Sequence, residues 1–516
     1  MNIYSRGSAR KALVDTVTFR SVAQIFTVLG YIVLVRGIPE EDFGVYSLLY
    51  AVIPLVSMVA SLGLTQVLRR YQPEYLRAGN VAAAAWLVRV VAISRLVTNL
   101  AVIAIILLAW NYIAPIVKLG PYRTEFIVFN AILLLHFQVS ILRFALESHM
   151  LQRYAIGAGI VLSFVKLVSY TLFSVYGKLS LETAMLTDTL AFAASYTILR
   201  LAYNRKCLTP DTRVRFRPDK KERKRLFRYG FFNNFNDAGV LLMYSTVDSF
   251  FIAAYIGTIA VGIYAFYSRL RNLVTGLLPA RLFENVIRPM LFAIPADEAN
   301  SKLPRYFSFL LNINLIIYWP AFVFSLAYHA EFVEVVFGGK FIEHSWLFPM
   351  IMVFGLINTI SRPVTLVAQY KERAEIILLS KLFAIYNIGA MIVLIPALGI
   401  YGAVLAAGTG QIMKNVFIWW HVRDTARWIN GPAALAVSIG LWGAGVALLF
   451  GIKTVLPVPP IVHILLGLTL IGGLALLHLR GQAVSSSDRY ILAAVMPEKA
   501  ASLFEKIGLL SPAGGK

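Results

Sequence analysis

Residues 40–80 read EEDFGVYSLLYAVIPLVSMVASLGLTQVLRRYQPEYLRAGN. Three acids, Glu40, Glu41 and Asp42, lead into Phe43-Gly44-Val45-Tyr46, and no charge follows until Arg69 and Arg70. A run of about 20 apolar residues is long enough to cross a bilayer as a helix. The acidic entry and basic exit orient it, because Lys and Arg are retained on the cytoplasmic side. This is one oriented span among many.

The 516 residues are 59% hydrophobic and 14% charged, with a mean hydropathy of +0.72. Soluble domains carry about 25% charged residues, so the polar surface that water requires is missing. The apolar excess runs from about residue 13 to residue 480, which excludes a soluble domain with one anchor. The first apolar run is too long for a signal-peptide core and has no small-residue cleavage site, so it is expected to be retained. The single cysteine, Cys207, allows no internal disulfide and no cysteine-based metal cluster. A formal charge of +22 invites a nucleic-acid reading, but Lys and Arg concentrate in short loops between apolar runs. That is the positive-inside pattern, with attraction to anionic headgroups as a secondary effect.

Fourteen candidate spans follow, near 13–35, 43–67, 81–112, 124–146, 154–176, 183–203, 229–256, 260–283, 306–328, 345–369, 375–396, 400–420, 432–450 and 461–479. The third exceeds a straight crossing, so tilt or an interfacial end is expected. Basic residues before the first span (Arg6, Arg10, Lys11) and after the even-numbered ones place both termini in the cytoplasm, as expected for a plasma (inner) membrane protein. The loop at 329–344 is instead acidic, with Glu331, Glu334 and Glu343 against Lys340. The fold class is therefore all-α integral membrane. Expected divisions are a six-helix lobe (1–203), a basic linker (204–228), a second six-helix lobe (229–422), a helix pair (423–480) and an amphipathic cytoplasmic tail (481–516). A faint repeat relates the lobes: Gly44-x-Tyr46 recurs as Gly262-x-Tyr264, and Arg70 as Arg288 at the same offset. Parallel repeats of this kind flank the substrate site of many secondary transporters.

Ionisable residues inside a span cost roughly 2.5–3.5 kcal/mol each, so they should lie on polar stripes of helical period. Thr16, Arg20, Gln24 and Thr27 form one such stripe, and Tyr46, Tyr50, Ser57 and Ser61 another. Arg95 accompanies Asn99, and Lys166 accompanies Ser163 and Tyr170. Asn233, Asp237, Tyr244 and Asp248 share a face, as do Tyr264, Ser268, Arg271 and Thr275, and Asn358, Arg362, Thr365 and Gln369. Arg20, Arg95, Lys166, Arg271 and Arg362 are the candidate cationic ligands; Gln24, Tyr46, Tyr50, Tyr264 and Asn358 are the polar and aromatic wall. Asp237 and Asp248 could carry a coupling proton or sodium ion, or could neutralise neighbouring arginines. Arg89, Arg143, Lys381 and Lys414 lie near span ends, where long side chains snorkel to headgroups. Asp15 and Asp188 are read as solvated interfacial acids. Such a cationic, tyrosine-rich cavity suits an anion with sugar-like surfaces, since guanidinium forks grip phosphate oxygens.

Phe43-Gly44-Val45-Tyr46, Leu62-Gly63-Leu64, Arg69-Arg70-Tyr71-Gln72-Pro73-Glu74 and Leu398-Gly399-Ile400-Tyr401-Gly402-Ala403, with this topology, resemble the polysaccharide-export branch of the multidrug/oligosaccharidyl-lipid/polysaccharide exporter superfamily, which includes the O-antigen flippases. The resemblance covers residues 1 to about 420 by topology. It implies a V-shaped, MATE-like pair of six-helix lobes around a central cavity working by alternating access. The implied substrate is a polyprenyl-pyrophosphate-linked oligosaccharide moved to the outer leaflet. The implied partners are that lipid-linked glycan, membrane lipids, and a glycan polymerase or glycosyltransferases. The extra helix pair is similar to the peptidoglycan-precursor flippase. No catalytic residues, cofactor or metal are expected, since neither a phosphate-binding Gly-x4-Gly-Lys-Ser/Thr run nor a His-Glu-x-x-His run occurs. A drug exporter of the same fold should show an acidic or aromatic cavity, and a glycan polymerase a large external loop. A non-transporting scaffold would tolerate apolar replacement of its intramembrane charges.

Overall fold

The computed structural model describes residues 6–213, 216–241, 245–276, 278, 291–292, 294–295, 297–429 and 431–480; side chains are described from Val22 onward except at 213, 233, 235–241, 245 and 480. The expected tail at 481–516 and the repeat residue Arg288 lie outside the described residues. The described residues are all-helical, without a strand.

Two compact units divide the chain, Met1–Gly262 and Ile263–Lys516. Unit one contains α1 (Arg6–Gly37), α2 (Glu40–Ser61), α3 (Leu64–Arg77), α4 (Val81–Leu108), α5 (Trp110–Ile116), α6 (Arg123–Ser148), α7 (Gln152–Val175), α8 (Leu181–Lys206), α9 (Lys220–Leu241) and α10 (Ser245–Tyr255). The division falls inside the first turns of α11 (Thr258–Gly276). Unit two continues with α12 (Ala299–Phe337), α13 (Leu347–Ile357), α14 (Ser361–Tyr370), α15 (Ala374–Leu379), α16 (Phe383–Leu398), α17 (Ile400–Val422), α18 (Gly431–Val455) and α19 (Pro460–Arg480). Among the described residues, nine helices are long and apolar enough to cross a membrane: α2, α4, α6, α7, α12, α18, α19 and the runs Leu347–Tyr370 and Ala374–Leu398. The other expected spans fall on α1, α8, α9 with α10, α11 and α17, which are shorter as described or more polar.

The acids that orient the opening stretch also hold it. Asp42 Oδ2 accepts the Leu181 backbone N–H at 3.0 Å, which satisfies an orphan donor at the start of α8. Glu41 accepts the Tyr122 hydroxyl at 2.7 Å. The same α8 start carries a reciprocal cap between Ser180 and Thr183.

The opening span is not one continuous helix. Leu62 and Gly63 both take the left-handed conformation, so α2 stops at Ser61 and α3 starts afresh at Leu64. A left-handed residue ends a helix because it turns the next N–H away from the i−4 carbonyl. A side chain on Gly63 would collide with the Gly230 backbone of α9, and its N–H donates to Asn234 Oδ1 at 3.2 Å. The expected long third span also divides, into α4 and the short α5, with Ala109 between them.

At its other end α2 meets the first turn of α11. Gly44 and Gly262, the paired glycines of the repeat, each sit four residues beyond their helix starts. A Cβ on Gly262 would lie 3.0 Å from the Gly44 Cα, and one on Gly44 would overlap the Thr258 carbonyl. The repeat therefore marks a close backbone crossing, which only residues without Cβ permit. The basic 204–228 segment docks on α3 where α9 begins: Arg225 pairs with Glu74 at 2.7 Å, and Tyr75 donates to Glu222 at 2.6 Å. The Arg225 guanidinium, with Arg70 beside it, holds the Glu74 carboxyl below the usual range.

In unit two α12 runs 39 residues and kinks at Tyr328. The acidic 329–344 stretch, expected as a loop, is helical as far as Phe337. Its Glu331 pairs with Lys453 of α18 at 2.5 Å, and the same ammonium donates to the Ala327 carbonyl at 3.0 Å. The helix pair α18–α19 lies along α12, where Gly467 gives room for the Tyr328 ring. His478 ties the pair together through Ser438 at 3.0 Å and the Trp442 indole N–H at 3.2 Å.

Overpacking a tight contact costs about 1–3 kcal/mol. Gly44→Ala should therefore lower the Tm of the detergent-solubilised protein. Gly157→Ala, whose added methyl meets nothing within 4 Å, should leave it unchanged or slightly higher; equal behaviour of the two would show that the α2–α11 crossing is not tight.

Candidate functional site

The α2 stripe of Tyr46, Tyr50, Ser57 and Ser61 faces inward in unit one, and its partners are specific. Asp188, on α8, is fully buried. Its carboxylate accepts the Tyr46 hydroxyl at 2.8 Å and also those of Tyr50 and Tyr170. Lys166 of α7 completes the cluster, with Nζ 2.7 Å from Asp188 Oδ1 and 3.3 Å from the Tyr50 hydroxyl. The ammonium also rests over the Phe192 and Tyr50 rings at 5.2 and 5.5 Å. Burying a carboxylate without donors would cost several kcal/mol; here two helices, α2 and α7, supply four. The reading of Asp188 as a solvated interfacial acid is corrected: it lies seven residues beyond the start of α8 at Leu181, about 10 Å along the axis. That depth was the available signal.

Further along α2, Arg95 of α4 is 2% exposed. Its Nη1 donates to the Ser57 carbonyl at 2.9 Å and its Nη2 to Ser57 Oγ at 3.3 Å, while the guanidinium lies 4.5 Å from the Phe137 ring centre. Thr98, one turn on, donates to the Ala60 carbonyl at 2.7 Å. Ala60 is one of the last residues of α2, whose carbonyls lack an intrahelical donor, and a cation there complements the helix dipole. Arg95 and Thr98 thus cap α2 at its break. His136, on α6, stands within electrostatic reach of Arg143, Lys166 and Arg95. Its Nδ1 and both side-chain amide atoms of Asn99 have no hydrogen-bond partner among the described residues.

Unit two holds a second cationic group. Lys414 of α17 lies within electrostatic reach of Arg362 (α14) and Lys381, and its Nζ donates to Gln411 Oε1 at 3.1 Å. Beside it, Asn415 donates to Asn358 Oδ1 at 2.6 Å. Arg271, half-buried on α11, contacts Asn272 Oδ1 at 3.3 Å and lies within electrostatic reach of Tyr318.

Residues 11–294 match the model of a family described as polysaccharide biosynthesis protein. The chain belongs to that family. No curated protein matches the chain. Among solved structures, an inward-facing multidrug resistance MATE family transporter of the MOP superfamily superposes with a TM-score of 0.65 at 16% identity, covering 80% of this chain and 98% of its own. The lipid II flippase MurJ in an inward closed conformation gives 0.64 at 11% identity, over 90% and 99%. A MATE in the bent conformation gives 0.52 at 16%, over 82% and 98%. The fold is MATE-like, and this family member is a multi-pass membrane protein.

The structure brings Tyr46, Tyr50 and Lys166 together on Asp188, and Asn358 and Arg362 together with Lys414. Tyr264 and Asp248 are buried; Gln24 and Arg362 are exposed, and the stripe neighbour Thr27 bonds Ser163 at 2.9 Å, tying α1 to α7. Arg20 on α1 and Asp237 on α9 have side chains outside the described residues. Of the residues read as snorkelling, Arg143 lies within electrostatic reach of His136, and Lys381 and Lys414 within reach of each other.

Removing one member of a buried pair costs about 3–5 kcal/mol, whereas removing both charges is far milder. Lys166→Met should lower the Tm more than Lys166→Met/Asp188→Asn, in which the tyrosines keep an acceptor. A double variant at least as unstable as the single would refute the pairing.

Proposed function

We propose that this member of the polysaccharide biosynthesis family is a flippase. It moves a polyprenyl-pyrophosphate-linked oligosaccharide from the cytoplasmic to the outer leaflet of the plasma (inner) membrane by alternating access. Both termini are cytoplasmic in this reading, and no covalent chemistry is performed on the substrate.

The observation that carries the reading is the Lys414 group. Lys414 has no carboxylate partner among the described residues, and Arg362 and Lys381 add positive charge around it. A pyrophosphate supplies the charge that such a group favours, and guanidinium forks bind its oxygens bidentately. Arg271, and Arg20 by its place on the first sequence stripe, are the further candidate ligands of that anion. A cationic drug would be repelled by these groups, which disfavours the drug-exporter reading.

Energy would come from an ion gradient, the membrane potential or consumption of the product. The potential supplies about 2.3 kcal/mol per charge per 100 mV. Asp237 and Asp248 are the candidate coupling acids. Glycosyltransferases would supply the lipid-linked glycan, and a polymerase would consume it. A peptidoglycan-precursor flippase is the second reading, favoured by the added pair α18–α19 along α12.

A charge-assisted hydrogen bond contributes about 1.5–3 kcal/mol, so losing one weakens substrate binding roughly tenfold or more. In vesicles carrying a fluorescent polyprenyl-pyrophosphate oligosaccharide, with dithionite as the outer-leaflet quencher, Lys414→Gln and Arg271→Ala should each slow flipping at least tenfold at unchanged Tm. Arg20→Ala should do the same. Wild-type rates in all three would overturn the proposal, and faster flipping of labelled lipid II than of the oligosaccharide would select the second reading.

A further inference from the structure

Unit one carries a cleft of about 560 Å³ between α4, α6 and α8. It is separate from the Asp188 cluster. One end is polar: Arg89 of α4 and Arg200 and Tyr203 of α8 line it where α4 begins and α8 ends. The other end is apolar, formed by Ile93 and Leu96 with Leu134 and Leu135 of α6. Gln138 bridges the two helices by donating to the Ala92 carbonyl at 3.1 Å. From Arg89 to Leu96 the groove runs about 10 Å along the α4 axis.

Two features of this cleft call for an occupant. Arg89 and Arg200 are exposed, and neither has a carboxylate or hydrogen-bond partner among the described residues. Ile93 and Leu96 are 56% and 39% exposed beside them. A groove with paired guanidinium groups at its mouth and bare hydrocarbon below has the polarity of a membrane amphiphile, phosphate at one end and chain at the other. Arg205 and Lys206, exposed at the end of α8, raise the positive potential at the mouth. That field favours a headgroup with net negative charge and opposes one carrying its own ammonium.

We infer that this cleft is a binding site for an anionic glycerophospholipid of the cytoplasmic leaflet, its phosphate held between Arg89 and Arg200 and part of one acyl chain laid along Ile93 and Leu96. The leaflet assignment rests on the proposed orientation; the site itself does not rest on the flippase reading. Ordinary snorkelling would place the same arginines among headgroups, but it predicts neither a fixed stoichiometry nor sensitivity to the apolar end of the groove.

The test is native mass spectrometry of the full chain, purified in detergent and incubated with dioleoyl phosphatidylglycerol or dioleoyl phosphatidylcholine, paired with Tm measurements. The expected result is one retained phosphatidylglycerol with a rise in Tm, and little retention of phosphatidylcholine. Arg89→Gln/Arg200→Gln should reduce retention at least tenfold. Ile93→Trp, which fills the groove from an exposed position and leaves both charges, should do likewise; neither should change the Tm of the lipid-free protein. Equal retention of the two lipids, or wild-type retention in both variants, would overturn the site. A Tm rise with inorganic phosphate alone as large as with the lipid would overturn the lipid assignment in favour of a phosphate site. Preferential retention of polyprenyl phosphate over phosphatidylglycerol would overturn it in favour of the substrate's own lipid. None of these readouts depends on flipping, so failure of the transport proposal is distinguishable from failure of this one.

Discussion

A carboxylate buried in an apolar bundle has to be met by donors on several helices at once, and Asp188 imposes that condition on unit one. Tyr46 and Tyr50 come from α2, Lys166 and Tyr170 from α7, and the acid itself from α8. Each hydroxyl is useful only at one rotation of its helix, because neighbouring positions on a helix differ by about 100°. The cluster therefore fixes how α2, α7 and α8 are turned, a task that apolar contacts alone perform loosely in a bilayer, where lipid tails are as apolar as leucine. It also gives the Lys166 ammonium a carboxylate partner within the fold.

With its rotation set at Tyr46 and Tyr50, α2 is tied down at both ends by different means. Gly44 lets the first turn of α11 approach to backbone contact, and Gly63 does the same for α9. Between them, Arg95 and Thr98 donate to carbonyls near the α2 terminus. A helix that stops inside an apolar layer exposes carbonyls that water cannot reach, so a cation and a hydroxyl on α4 are the local remedy. The positive charge that looks like a ligand in the sequence has a structural task here.

Residues that repeat at helical spacing were the legible part of this chain. The apolar runs, the stripes on α2 and α7 and the Gly-x-Tyr repeat all translate into helices and inward faces, because burial in one dimension has a fixed period. The pairing between stripes was not legible. Periodicity says that Lys166 lies on a polar face, but not that Asp188, twenty-two positions later, completes it. Asp188 looks interfacial in the sequence because a span drawn from hydropathy starts near residue 183, which leaves that acid close to the boundary, whereas the capped helix begins at Leu181. The break at Leu62-Gly63 was hidden for a related reason: two left-handed residues interrupt backbone geometry without interrupting hydropathy. Glu331 looks like a loop residue in the sequence because acids in a short polar stretch read as a loop until a partner, Lys453, is known.

The cations inside the membrane therefore divide by what stands opposite them. Lys166 faces a carboxylate and Arg95 faces carbonyls, so their charge is spent within the fold. Lys414 faces an amide oxygen with like charges nearby, an arrangement that an anion would relieve on the proposed reading. Binding energy of that kind appears only on loading, which is what a carrier needs if the loaded and empty forms are to favour different conformations. On the proposed reading, the anion is met by cations that no carboxylate in the fold compensates, Lys414 above all, while the Asp188 cluster holds α2, α7 and α8 in register.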